Sequence, residues 1–309
     1  MDTEPQAMVR QQDFDCAEPV DVVADVGAGR LELQLLEPAA ATGTITVRVR
    51  PDQFTESPLG AGLAGLLSWL GEQTGSAAPG ELAAEAARLT RIECEGKRLT
   101  VQTPKDMPLR TVPLSITVTA PARSTLTARA GSADLTVDGL AARVDASTGS
   151  GDVRMQRCEG PVEVRTGSGD VRLGSVVGTL RARTGSGGVD AVAVEGAGTV
   201  QTGSGDVRIG AVSDDLTVRT GSGDLTVTDA TAGSLELTTG SGQLRVGIGS
   251  GVLAEIDVSS GSGHARSELP VGGSPGRPDA AEPGAPRSAA LRVRGRTGSG
   301  DALVTSAMS

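Results

Sequence analysis

A corner of Gly-Ser-Gly-Asp, or a close variant of it, recurs along the chain and carries the first residues that could do chemistry. The position after the second glycine reads Asp134, Asp152, Asp170, Gly188, Asp206, Asp224, Gln243, His264 and Asp301. Carboxylates stacked in one column suit a hard cation, which takes six to eight oxygen ligands. In calcium-binding β-rolls, however, the acid stands two residues after glycine and the period is half as long. Two residues further on, the column reads Arg154, Arg172, Asp190, Arg208, Thr226, Arg245 and Arg266. Residues two apart share one face of a strand, so Asp and Arg can neutralise each other diagonally between neighbouring coils. Where Gly188 replaces the acid, Asp190 replaces the arginine. The pattern reads as an ion-pair lattice, with no metal site expected.

Catalytic constellations are weaker still. His264 is the sole histidine and stands at an acid position of an exposed turn. A Ser-His-Asp arrangement needs one uniquely placed serine, whereas here every corner has one. The column Asp145, Glu163, Arg181, Thr199 puts two acids side by side, as sugar-cleaving enzymes do, but a solvated charged face explains it equally. No catalytic, cofactor-binding or metal-ligating residue is expected, and no cofactor. Cys16, Cys94 and Cys158 show no C-x-x-C spacing and read as reduced, partly buried thiols. A net charge of −10 and a pI near 4.8 argue against nucleic acid as a partner. The opening residues lack a basic start and an apolar run, and the longest apolar stretch, Leu59 to Leu70, falls short of the roughly 20 residues of a membrane span. A cytoplasmic location is expected.

The elements that hold these columns follow from the repeat. The first glycine of each corner falls at 131, 149, 167, 185, 203, 221, 240, 261 and 298, with five opening intervals of 18 residues. Between corners, apolar residues recur at fixed places. One column runs Leu135, Val153, Val171, Val189, Val207, Leu225; others contain Val137 and Ile209, Cys158 and Val212, Val162 and Leu216, Val164 and Val218. Spacing of two within each run is the strand period. Each repeat therefore supplies two short strands, with Gly-Ser-Gly at one corner for its tolerance of positive φ and Gly160, Gly178 and Gly196 at a second. Identical residues at one period stack when each repeat makes one coil. The expectation is an all-β, right-handed parallel β-solenoid with about 18 residues per coil. A hairpin at each Gly-Ser-Gly, giving antiparallel sheets, is the rival. The near absence of aromatics (no Tyr, two Phe, one Trp) fits a thin core.

The predicted organisation is a flexible 1–13, then a single solenoid domain over 14–309 with a helical insertion at 55–90 and a Pro/Gly-rich loop at 268–290. Residues 14–50 read as irregular early coils or a cap, and 91–102 as a hairpin turning at Glu95-Gly96. Within the insertion, Leu59 to Leu70 and Glu81 to Leu89 read as helices. Leu63, Leu66, Leu67 and Leu70 fall on one helical face, with Trp69 beside them. That stripe covers the open end of the solenoid, docks a protein partner, or meets a membrane surface.

The tandem Thr-Gly-Ser-Gly-Asp-Val-Arg-Leu units, the Glu-Gly-Lys-Arg-Leu-Thr-Val segment at 95–101 and the closing Arg-Thr-Gly-Ser-Gly-Asp at 296–301 resemble the bacterial putative-adhesin family with β-strand repeats, a domain of unknown function. The resemblance implies a right-handed β-helix in the style of bactofilins, and no catalytic residues. The expected role is a non-enzymatic cytoplasmic scaffold or protein-binding module, its partner engaged through the helical insertion. The alternative is a self-assembling, bactofilin-like structural protein; a carbohydrate-active or calcium-binding β-helix ranks below both.

Overall fold

The computed structural model describes residues 10–37, 43–52, 79–269 and 290–307. The helix expected at Leu59 to Leu70, with Leu63, Leu66, Leu67, Trp69 and Leu70, lies outside the described residues, as does most of the expected loop at 268–290. The chain divides into two compact units, Met1–Arg172 and Leu173–Ser309.

In the second unit each repeat gives one strand to each of two sheets. Val189–Val194, Val207–Val212, Leu225–Ala230 and Leu244–Ile248 pair in parallel, so that Val189, Val207, Leu225 and Leu244 stand opposite one another. Leu180–Thr184, Gly198–Thr202, Leu216–Thr220 and Gly233–Thr239 form the facing ladder. Successive partners are 18 or 19 residues apart, so each repeat is one coil of a parallel β-solenoid. The hairpin alternative fails, because no strand pairs with its own neighbour across a Gly-Ser-Gly corner in these ladders. Every apolar column named from the sequence is buried here, including Val207, Ile209, Val212, Leu216 and Val218.

The coils are not stacked in sequence order. Leu291–Thr297 lies between Gly233–Thr239 and Ala254–Ser260, and Ala302–Ser306 lies between Leu244–Ile248 and Ala265–Ser267. The last coil of the chain is thus inserted beneath the one before it. The two slots are equivalent in register, since Leu291 stands opposite both Gly233 and Ala254.

The first unit shows the same interleaving. Asp21–Val26 sits between Arg98–Gln102 and Thr125–Ala130, and Ala28–Leu36 between Pro113–Pro121 and Asp134–Ala141. Residues 20–36, expected to be irregular, form a full parallel coil. Beyond it the pairing turns antiparallel: Thr44–Pro51 runs against Pro113–Pro121, and Arg10–Asp15 against Thr44–Pro51. Residues 10–13, expected within a flexible terminus, therefore belong to a paired strand. Arg91–Glu95 and Arg98–Gln102 form the expected hairpin, with Gly96 at φ 58°. Helix α1, Pro79–Leu89, covers Glu81 to Leu89 as predicted and packs against Thr44–Pro51 and Pro113–Pro121. Ala86 and Ala87 are its buried face, and Thr90 Oγ1 closes its end by donating to the Ala86 carbonyl at 2.9 Å.

The corner glycines are required for a reason other than the one expected. Positive φ occurs at Gly29, Gly43, Gly96, Gly139, Gly233 and Gly251, none of them in a regular Gly-Ser-Gly corner. At the corners the constraint is the next coil. A Cβ on Gly205 would lie 1.9 Å from the Gly187 carbonyl oxygen, and one on Gly151 would lie 2.0 Å from that of Ala133. The second corner repeats this, with 2.1 Å between a Cβ on Gly160 and the Ala142 oxygen. Coils about 4.8 Å apart leave no room for a Cβ at these glycines.

Candidate functional site

The residue before seven of the nine corners is a buried threonine: Thr148, Thr166, Thr184, Thr202, Thr220, Thr239 and Thr297. Its hydroxyl is used twice. Thr202 Oγ1 accepts from the Gly205 amide at 3.0 Å and donates to the Gly187 carbonyl of the preceding coil at 3.1 Å. Thr220 does the same with Gly223 and Gly205, at 3.1 Å each. Thr148, Thr166, Thr202 and Thr220 thus each pin their own corner and tie it to the corner below. The recurrence of threonine at a fixed place was visible in the sequence, and burial gives it a role that the motif alone did not.

The corner aspartates also face the next coil. Asp134 Oδ1 accepts from the Asp152 amide, Asp152 Oδ1 from Asp170, and Asp206 Oδ1 from Asp224, each at 2.9 Å. The other carboxylate oxygen takes an arginine two residues ahead on the same strand, at 2.8 Å in Arg154–Asp152, Arg172–Asp170 and Arg208–Asp206. The expected diagonal pairing is the minor part: Arg172 reaches Asp152 at 3.3 Å and Arg208 reaches Asp190 at 3.8 Å. The ion pairs run mainly within a coil because a straight strand places residues i and i+2 side by side. Burial pushes the Asp152 carboxyl up, but the Asp170 amide with Arg154 and Arg172 outweighs it and holds the group below its ordinary value.

His264 is almost fully exposed, with its amide on Asp301 Oδ1 at 2.9 Å and its ring 3.7 Å from the same oxygen. Asp145 and Glu163 stand opposite each other on the outer face, and Glu163 pairs with Arg165. Cys158 is buried and donates to the Gly160 carbonyl at 3.5 Å, its thiol pushed up by burial. A cleft of about 310 Å³ in the first unit is lined by Asp25, Lys105, Arg110 and Arg129, with Lys105 on Asp25 at 3.3 Å. Among the described residues no helix is long and apolar enough to cross a membrane, and no three His, Cys, Asp or Glu side chains converge as a metal site would require.

What the repeat presents outward is therefore charge and hydrogen-bonding capacity on flat faces. In the second unit the outer face of one ladder reads, coil by coil, Arg183, Gln201, Arg219, Thr238, Arg296 and Ser259. The parallel column beside it reads Arg181, Thr199, Thr217, Glu236, Arg294 and Asp257.

No curated protein matches the chain. Among solved structures it aligns with a putative adhesin from Bacteroides fragilis at 13% identity and a TM-score of 0.44, over 97% of this chain and 98% of that one. A putative adhesin from Parabacteroides distasonis aligns at 7% identity and a TM-score of 0.30, over 97% and 98%. The family model described as Toastrack DUF4097 matches residues 95–263. With over half of its length matched, from the 95–101 hairpin through the regular coils, the chain belongs to the Toastrack DUF4097 family, a domain of unknown function.

Proposed function

We propose that this chain is a non-enzymatic binding module, a stiff scaffold whose flat outer faces and helical insertion engage partners. The observation that carries this reading is the use of the repeated polar residues. Thr202 ties corner to corner, Asp206 Oδ1 takes the Asp224 amide, and Asp206 Oδ2 takes Arg208. The repeated motif is occupied in building the coil, so its polar groups need no bound ligand or substrate to explain them. The adjacent acids Asp145 and Glu163 lie on an open, arginine-bearing face rather than in a water-excluding cleft of the kind catalysis favours.

Two experiments together test it. Affinity capture on the immobilised full chain, compared with a chain lacking 57–76, should recover a partner whose retention depends on that segment or on the outer arginines. A turnover screen on β-linked glycosides should give no activity; hydrolysis abolished by Asp145→Asn and Glu163→Gln would overturn the reading. One observation favours self-assembly as a second reading: Ala254–Ser260 and Ala265–Ser267 each end their ladder with one edge unpaired among the described residues, and unpaired edges recruit further strands. Light scattering across a concentration series distinguishes the two.

A further inference from the structure

We infer that the outer face of the second unit carrying Arg183, Arg219 and Arg296 is a docking track for a linear polyanion whose charges repeat at about two coil spacings, an acidic polysaccharide with one carboxylate per disaccharide. Three features point there. The first is spacing: Arg183, Arg219 and Arg296 occupy one column with Gln201 and Thr238 between them. The arginines therefore stand on every second coil, about 9.6 Å apart, and the intervening side chains offer neutral hydrogen-bonding groups. The second is availability. Arg181, Arg183, Arg219, Arg294 and Arg296 form no ion pair among the described residues and are exposed. On the other ladder of the same unit, Arg208 is held by Asp206 and Asp190. The third is charge. The chain carries −10 overall, yet this face gathers Arg181, Arg183, Arg219, Arg294 and Arg296 against Glu236 and Asp257 in the same two columns. Neutralised arginines would build the coil equally well; unpaired ones in register recognise a complementary charge pattern.

The partner class follows from geometry. Side chains held in register coil after coil suit an extended chain lying along the stacking direction. Alternation of guanidinium with Gln or Thr matches a polymer in which an acidic sugar alternates with a neutral one. A nucleic acid strand carries a charge on every residue and leaves Gln201 and Thr238 facing phosphates. This inference rests on the binding-module reading above. A full chain that captures a protein partner but no polyuronate would refute this inference and leave that reading standing.

The test is titration calorimetry of the full chain with hyaluronate oligosaccharides at low and at physiological salt. Wild type should bind with an affinity that falls as salt rises. Arg183→Gln, Arg219→Gln and Arg296→Gln combined should weaken binding on the order of tenfold or more, and Lys at the same three positions should restore most of it. Removing the same number of charges from the opposite ladder, with Arg208→Gln, Arg245→Gln and Arg266→Gln, should change affinity less than about twofold. These side chains are exposed, so melting temperatures check that each variant folds. Absence of binding by wild type at low salt, equal losses in the two triple variants, or tighter binding of a single-stranded oligonucleotide would each overturn the inference.

Discussion

Replacing Thr202 by valine keeps the shape of the side chain and removes its hydroxyl. In the folded chain that hydroxyl accepts from the Gly205 amide at 3.0 Å and donates to the Gly187 carbonyl at 3.1 Å, and Thr202 is buried. Gly205 is buried as well, and it has no room for a side chain of its own, because a Cβ there would stand 1.9 Å from the Gly187 oxygen. Valine therefore leaves one buried donor and one buried acceptor without these partners. At about 1–3 kcal/mol for each of the two unsatisfied groups, offset by the apolar gain of a methyl of about 1 kcal/mol, the loss should be about 1–5 kcal/mol. Thr202→Ser keeps both bonds and should cost about 1 kcal/mol. Urea denaturation of the three proteins, followed by circular dichroism, gives the comparison, and amide exchange at Gly205 localises it. Equal stability of Thr202→Val and wild type, with the Gly205 amide still protected, would refute the claim that this hydroxyl joins the coils.

Other perturbations reach different layers of the same architecture. Val207→Asp places a charge at a position that is 0% exposed and should destabilise by several kcal/mol; a melting temperature within a degree or two of wild type would show that this column does not face inward. The Asp152 carboxyl is held below its ordinary value, so its contribution is present above about pH 4 and is lost as pH falls through the lower folded value. Asp152→Asn should accordingly show a smaller drop in melting temperature between pH 6 and pH 3 than wild type, and an equal drop would contradict the assignment. Asp170 and Asp206 already serve Arg172 and Arg208, so millimolar calcium should raise the melting temperature no more than magnesium does; a calcium-specific rise of several degrees would favour a metal site instead.

Much of the coil was legible because its columns are written at a constant period. Val189, Val207 and Leu225 repeat at 18 residues, and that is the register in which they stack. The role of the corner glycines was misread for a physical reason. Within one repeat, Gly-Ser-Gly looks like any tight turn, where positive φ is the usual demand; only the neighbouring coil, whose Gly187 oxygen approaches Gly205, shows that the lack of a Cβ matters instead. The aspartates were read as half of an ion pair, and the backbone amide that takes their second oxygen was missed because main-chain donors leave no trace in a sequence. The order of the coils was not legible either. A column tells which residues share a position, not which coil lies next, so the insertion of Leu291–Thr297 beneath Ala254–Ser260 had no signal beyond the long 261-to-298 interval. The alternate-coil spacing of Arg183, Arg219 and Arg296 was hidden by the same feature, since it is the insertion that seats Arg296 next to Thr238.

The central claim is parallel stacking of one coil per repeat, and a pair of disulfide traps measures it directly. Gln201 stands opposite Arg219 in the parallel ladder, at a separation of about 5 Å that a disulfide can span. A hairpin across the Gly203–Asp206 corner would instead place Gln201 beside Arg208, which here belongs to the other ladder. The chain with Gln201→Cys and Arg219→Cys should oxidise to an intramolecular 201–219 bond identified by mass spectrometry, while Gln201→Cys with Arg208→Cys should remain reduced. Rapid bonding of 201 to 208, with none between 201 and 219, would contradict the solenoid.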